Sequence, residues 1–167
     1  DPAPVRRCIG CNQGCRAATV RKKIRCMQNV RIGNEKALTF APPSPALEAK
    51  KVVIVGAGPA GLEAAAMLAE HGVKNLVIFE QESRPGGKIN LAQIPPFKAN
   101  MEFLTGYRLD VLKRHGVEIC LNVRADVSTI AAEAPDAVIL ATGSSPLIPL
   151  FNDTATTEIY TGDQALE

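Results

Sequence analysis

Apolar residues recur along this chain in two alternating rhythms, and the alternation begins at Lys51. The run Lys51-Val52-Val53-Ile54-Val55 is short, β-branched and uninterrupted, as suits a parallel strand buried on both faces. Ala60–His71 then changes to a helical period, with Leu62, Ala65, Leu68 and Ala69 on one face and Gly72 as its stop. Asn75–Phe79 predicts a second strand ending at Glu80, and Met101–His115 a second helix. Val117–Leu121 and Ala137–Ala141 predict two more strands, the last a buried one closed by Thr142-Gly143. Strands alternating with helices imply a parallel, doubly wound α/β sheet, and no internal repeat competes with that expectation. His71 and His115 each precede a glycine at a helix end, where a positive imidazole suits the dipole, and both read as caps.

The chemistry begins where the first strand stops. Gly56-Ala57-Gly58-Pro59-Ala60-Gly61 fits G-x-G-x-x-G between a strand and a helix. Gly56 is placed for a tight exit from the strand, Gly58 for backbone approach to a pyrophosphate, and Gly61 for close packing of helix on sheet. Pro59 suits the first helical turn, where its missing N–H costs nothing. A pyrophosphate would sit at the positive end of the helix dipole. Glu80, at the end of the next strand and followed by Gln81, stands where a carboxylate holds ribose hydroxyls. A carboxylate there also repels a 2′-phosphate, which argues against NADP at this position. The alternative is a glycine-rich turn in an unrelated α/β fold, with Glu80 merely solvated. Gly86-Gly87 and Ala141-Thr142-Gly143 supply further close backbone approaches, and with them FAD is favoured over NAD.

Upstream of the strands the composition differs. Residues 1–40 carry Arg6, Arg7, Arg16, Arg21, Lys22, Lys23, Arg25, Arg31 and Lys36 against only Asp1 and Glu35. Ala41-Pro42-Pro43-Ser44-Pro45 is expected to break regular structure and to open a stiff linker over residues 41–49. Cys8, Cys11, Cys15 and Cys26 follow the spacing C-x2-C-x3-C-x10-C. Three thiolates on one tight loop and a fourth from a distance suit a 4Fe–4S cluster. Structural zinc more often uses two separated C-x2-C pairs, and disulfides come third. Cys120, inside an apolar run, is expected to be an inert core residue.

The ordered set Gly56-Ala57-Gly58-Pro59-Ala60-Gly61, Glu80, Gly86-Gly87 and Ala141-Thr142-Gly143 resembles the FAD-binding half of the pyridine nucleotide–disulfide oxidoreductase superfamily. That likeness implies a backbone contact to adenine from a strand near Val127. Cys8-Ile9-Gly10-Cys11-Asn12-Gln13-Gly14-Cys15, Cys26-Met27-Gln28-Asn29 and Gly86-Gly87-Lys88-Ile89-Asn90-Leu91-Ala92 further resemble one group. It comprises the NADH:flavin oxidoreductases related to 2,4-dienoyl-CoA reductase, enoate reductases and trimethylamine dehydrogenase. Val30 stands where many members carry a proline, and the last cysteine spacing is about a residue short. The resemblance implies a 4Fe–4S segment over residues 1–40 and an FAD domain over 50–150. It also implies an FMN-binding TIM barrel, with an NAD(P)H-binding domain elsewhere in a longer protein. Electrons would run from NAD(P)H through FAD and the cluster to FMN and on to an unsaturated substrate, amine dehydrogenation being the other reaction the group implies. Substrate acid/base residues of that group lie in the barrel, so no catalytic residue is nominated in this chain. Two alternatives are a non-redox module holding only ADP and the electron-input part of a glutamate-synthase-like small subunit.

Composition narrows the classes further. The net charge of +2 and an aromatic content of 4% argue against a nucleic-acid-binding module stapled by zinc. No apolar run reaches a membrane span or resembles a signal peptide, so a cytoplasmic protein, with homo-oligomers allowed, is expected. The start at Asp1, seven residues before the first cysteine, reads as a piece of a longer chain. In the tail over residues 151–167, the string 152–161 resembles the translation of a common DNA-sequencing adapter. It is expected to be foreign to the protein; recovering it intact from the source gene's genomic DNA would refute that.

Overall fold

A computed structural model describes residues 5–21, 23–38, 45–149 and 158–166. Ala41–Ser44 of the expected linker and most of the adapter-like string lie outside the described residues. The cysteine-bearing segment is mostly turns, with one short helix, α1 (Ala18–Arg21). A single turn, α2 (Pro45–Glu48), occupies part of the stretch expected to be an irregular linker. Proline tolerates a helix's first position, and Leu47 packs against the core, which explains the difference.

The α/β body runs β1 (Lys51–Val55), α3 (Pro59–Glu70), β2 (Asn75–Phe79), α4 (Ile89–Ala92), a 3-10 turn at Ala99–Glu102, α5 (Phe103–Arg114), β3 (Ile119–Cys120), α6 (Val127–Ala132) and β4 (Ala137–Leu140). The four strands form one parallel sheet in the order β3-β2-β1-β4. β1 is central, pairing Val53 with Val77 of β2 on one side and with Val138 of β4 on the other. Its Val52, Val53 and Ile54 are buried, as a continuous β-branched run requires. α3 lays Leu62, Ala65 and Ala69 onto this sheet, where they join Ile54, Ile78 and Leu112 in the core. His71 and His115 are the C-caps of α3 and α5, as their positions before Gly72 and Gly116 predict.

Two expectations are corrected at the sheet borders. β4 is not a buried strand: Val138 is 42% and Leu140 72% exposed. Among the described residues β1 is its one neighbouring strand, so it lies at the edge of the sheet and apolar residues that suit a sheet centre face outward. β3 shrinks to two residues at the opposite border, and Cys120 is exposed there instead of buried in the core. Among the described residues no helix is long and apolar enough to cross a membrane.

Candidate functional site

β1 has β2 on one side and β4 on the other, so the chain leaves its carboxyl end towards opposite halves of the sheet. Such a switch point opens a crevice beyond the strand ends. Here the crevice is a cleft of about 1020 Å³. Gly56, Gly58, Pro59 and Ala60 line it from the first turn, Glu80 and Gln81 from the end of β2, Gly87 from the following loop, and Ala141, Thr142 and Gly143 from the end of β4. Ten of the thirteen expected cofactor-binding residues thus meet in one place.

Steric demands explain the glycines at the turn. A Cβ on Gly56 would lie 2.4 Å from the Ala141 carbonyl oxygen, at a φ of +100° that side chains rarely adopt. A Cβ on Gly61 would lie 1.9 Å from the Gly56 carbonyl oxygen, so no larger residue lets α3 start this close to the sheet. Gly61 therefore acts beneath the cleft wall, not on it. Gly58 is the N-cap of α3 and no side chain caps the helix, which leaves its amino end to a ligand. Gly86 also stands behind the wall, its N–H donating to the Ala57 carbonyl at 2.8 Å and tying the second glycine pair to the first turn.

Glu80 is buried, 6% exposed, and its carboxylate is held rigidly. Oε2 accepts the Ala57 N–H at 2.7 Å and Oε1 accepts the Glu82 N–H at 2.9 Å. Its own N–H donates to the Cys120 carbonyl and its carbonyl accepts from the Val123 N–H. Charge-assisted bonds of this kind fix a carboxylate while leaving lone pairs for hydroxyl donors.

Val127 departs from expectation. It is the first residue of α6, a helix instead of a strand, it is 84% exposed, and it is not on the cleft wall. The adjoining cleft surface comes from Val123, Arg124 and Ala125, immediately after β3. Lys88, Asn90 and Asp163 also face the cleft, with Lys88 Nζ 2.5 Å from Asp163 Oδ2. These were not nominated from sequence. The position of Arg124 just past a parallel strand's carboxyl end was the available signal.

The cysteine segment presents a different arrangement. Cys8 and Cys15 are exposed, and Cys11 and Cys26 partly so. Among the described residues no three His, Cys, Asp or Glu side chains converge where a single metal ion would be held. Two of the four sulfurs accept backbone N–H groups. The Gly10 N–H donates to Cys8 Sγ and the Gln28 N–H to Cys26 Sγ, each at 3.3 Å, the kind of bond that stabilises thiolate sulfur. Gly14 lies so close to the backbone of Arg25 that a Cβ would be 2.4 Å from its carbonyl oxygen, which brings the Cys15 loop against the residue preceding Cys26.

A parallel sheet with a glycine turn at its switch point and a carboxylate fixed at the end of the second strand defines a dinucleotide-binding α/β protein. Residues 50–166 match the pyridine nucleotide-disulphide oxidoreductases, and the chain belongs to that family. The NADH oxidase of Thermoanaerobacter brockii is 40% identical over 147 residues, 87% of this chain and 22% of that protein. The bilirubin reductase of Mediterraneibacter gnavus is 38% identical over 146 residues, again 87% of this chain and 22% of that one. Among solved structures, 2-naphthoyl-CoA reductase in complex with 2-naphthoyl-CoA superposes with a TM-score of 0.77 at 35% identity, over 85% of this chain and 21% of that chain. These relatives agree with the resemblance to the NADH:flavin oxidoreductase and enoate reductase group. The chain spans about a fifth of the length of each.

Proposed function

We propose that the chain is the FAD-binding and cluster-bearing part of a larger NAD(P)H-dependent flavin and iron–sulfur oxidoreductase. The observation that carries this is the convergence of Gly56, Gly58, Pro59, Ala60, Glu80, Gly87 and Ala141–Gly143 on one cleft at the sheet's switch point. The amino end of α3 would take the pyrophosphate, Glu80 the ribose hydroxyls, and the Ala141-Thr142-Gly143 backbone the ligand's far end. Cys8, Cys11, Cys15 and Cys26 would hold a 4Fe–4S cluster, supported by the N–H groups aimed at Cys8 and Cys26. When bound, FAD would take up electron pairs from NAD(P)H and the cluster would pass single electrons onward. FMN and the substrate would belong to a barrel domain outside this chain. Reduction of an activated alkene fits electrons supplied by NAD(P)H; dehydrogenation of an amine would release electrons and would need the opposite flow, outward from the substrate through the cluster.

The visible spectrum of anaerobically purified protein, before and after dithionite, tests this. Flavin bands over a broad brown shoulder, both bleaching on reduction, are expected. A colourless protein that releases only ADP would refute the redox role and leave a structural nucleotide-binding module.

A further inference from the structure

One flank of α3, beside its sheet-facing side and next to α5, carries two carboxylates seven residues apart, Glu63 and Glu70, spaced two turns or about 10 Å along the helix. Each captures an arginine from the cysteine segment. Arg6 Nη1 lies 3.2 Å from Glu63 Oε1, and Arg31 Nη2 lies 2.7 Å from Glu70 Oε2. Arg108 of α5 closes on the same Glu63, its Nε 2.6 Å from Oε2, in an ion-pair contact that is not aligned as a hydrogen bond. Arg108 is only 3% exposed, and its burial lowers the guanidinium pKa against the attraction of Glu63.

Gln28 sits at the centre of this cluster and is 1% exposed. Its Oε1 accepts from Arg108 Nη1 at 2.8 Å, and its Nε2 donates to the Phe103 carbonyl at 2.5 Å and to the Arg7 carbonyl at 3.3 Å. Its own carbonyl accepts from Arg6 Nη1 at 2.9 Å, while its N–H is the one that reaches Cys26 Sγ. Every polar group of Gln28 therefore has a partner within the protein. Arg6 and Arg7 also lie over the rings of Tyr107 and Phe103, at 4.2 and 3.9 Å from their centroids. A segment made mostly of turns has few internal bonds with which to fix its own position. Here both flanks of the cysteine set, Arg6-Arg7 before Cys8 and Gln28 after Cys26, are tied to one point on α3 and α5.

We propose that Glu63, Arg108 and Gln28 form a charge-balanced joint that positions the cysteine segment against the nucleotide-binding helix. Glu63 stands about one turn from Pro59, so the helix whose amino end faces the cleft also sets the place of the thiolates. The joint rests on the cluster reading above in one respect: Arg6, Arg108 and Glu63 then form part of the electrostatic surroundings of the iron–sulfur group. A neutral glutamine at position 63 leaves two guanidinium groups uncompensated there. A neutral glutamine at position 108 leaves Glu63 paired with Arg6 alone, one positive charge fewer than in the unaltered protein.

The test uses the protein as purified, with its cofactors. Hydrogen exchange over residues 6–10 and 26–31 is expected to accelerate about tenfold or more in Glu63→Gln and in Arg108→Gln, since both break the joint. Arg108→Lys, which keeps the charge, restores part of the protection. Unchanged exchange in both neutral variants would overturn the joint. The cluster's midpoint potential is expected to rise in Glu63→Gln and to fall in Arg108→Gln. Mere loosening would move both the same way, and that outcome would overturn the charge-balancing role. Should Glu63→Gln fail to accumulate folded, Gln28→Ala, which changes no charge, carries the exchange measurement. If the unaltered protein binds no iron, the cluster reading fails, while the exchange arm still decides the joint.

Discussion

Replacing Glu80 by glutamine changes one atom and separates two roles of this side chain. The carboxylate accepts one backbone N–H on each oxygen, at 2.7 and 2.9 Å, in a buried setting. Glutamine keeps the shape but has a single acceptor oxygen, so either the Ala57 or the Glu82 N–H would face an NH₂ group. A hydrogen bond to a charged partner is worth about 1.5–3 kcal/mol, and loss of one sets the expected fall in stability. If the same oxygens accept ribose hydroxyls, losing the charge removes a similar amount from binding, or a roughly 10- to 150-fold weaker nucleotide. Denaturant titration measures the first quantity, and calorimetric titration with ADP and FAD the second. An affinity within twofold of the unaltered protein, in a variant that is destabilised as expected, would show that Glu80 only braces the glycine turn. The ribose assignment would then be wrong.

Gly61→Ala puts a Cβ 1.9 Å from a backbone oxygen that no side-chain rotation can move, and overpacking of this kind costs about 1–3 kcal/mol. A fall in denaturation midpoint together with lost FAD retention is expected; a neutral result would mean that α3 can slide along the sheet freely. At the other end of the fold, Asp126 caps α6. Its carboxylate accepts from the Thr129 N–H, the Ser128 hydroxyl and the Thr129 hydroxyl, which lowers its pKa from 3.8 to about 2. Because the folded pKa is depressed, the cap's contribution is complete above the ordinary value and is lost as pH falls through the folded one. α6 should therefore fray between about pH 4 and 2, read as faster amide exchange at residues 129–132, and Asp126→Asn should flatten that dependence.

Legibility in the sequence followed the range of the interactions involved. β2 was readable to its ends, Asn75 and Phe79, because the apolar run, the preceding glycine and Glu80 are all local signals. α3 was readable for the same reason, from Pro59 at its start to the His71-Gly72 cap. Gly61 could be assigned to close packing without coordinates, and the 1.9 Å approach to Gly56 is the geometric counterpart of that inference. α6 escaped because six residues are too few to display a helical period. Its one signal was Asp126, whose side chain accepts from the N–H three residues on. β4 was misjudged for a different reason: its sequence reports the environment suited to it, whereas its exposure depends on what lies beside it in the sheet.

Arg108 marks where reasoning along the chain ends. A basic residue in a helix reads as solvent-facing, and nothing within four residues of it suggests otherwise. Besides the Leu104 carbonyl one turn back, its burial depends on partners 45 and 80 positions away, Glu63 and Gln28, which supply the charge and a further acceptor that an isolated buried guanidinium would lack. Glu63 lies in the helix that follows the glycine turn, and its partners, Arg6 and Arg108, meet it on the flank of α3 beside α5. One helix thus serves two neighbours. Its amino end belongs to the cleft, while the carboxylates on its flank hold arginines of the cysteine segment and of α5. A mutation on either side is therefore expected to be felt on the other through α3 itself.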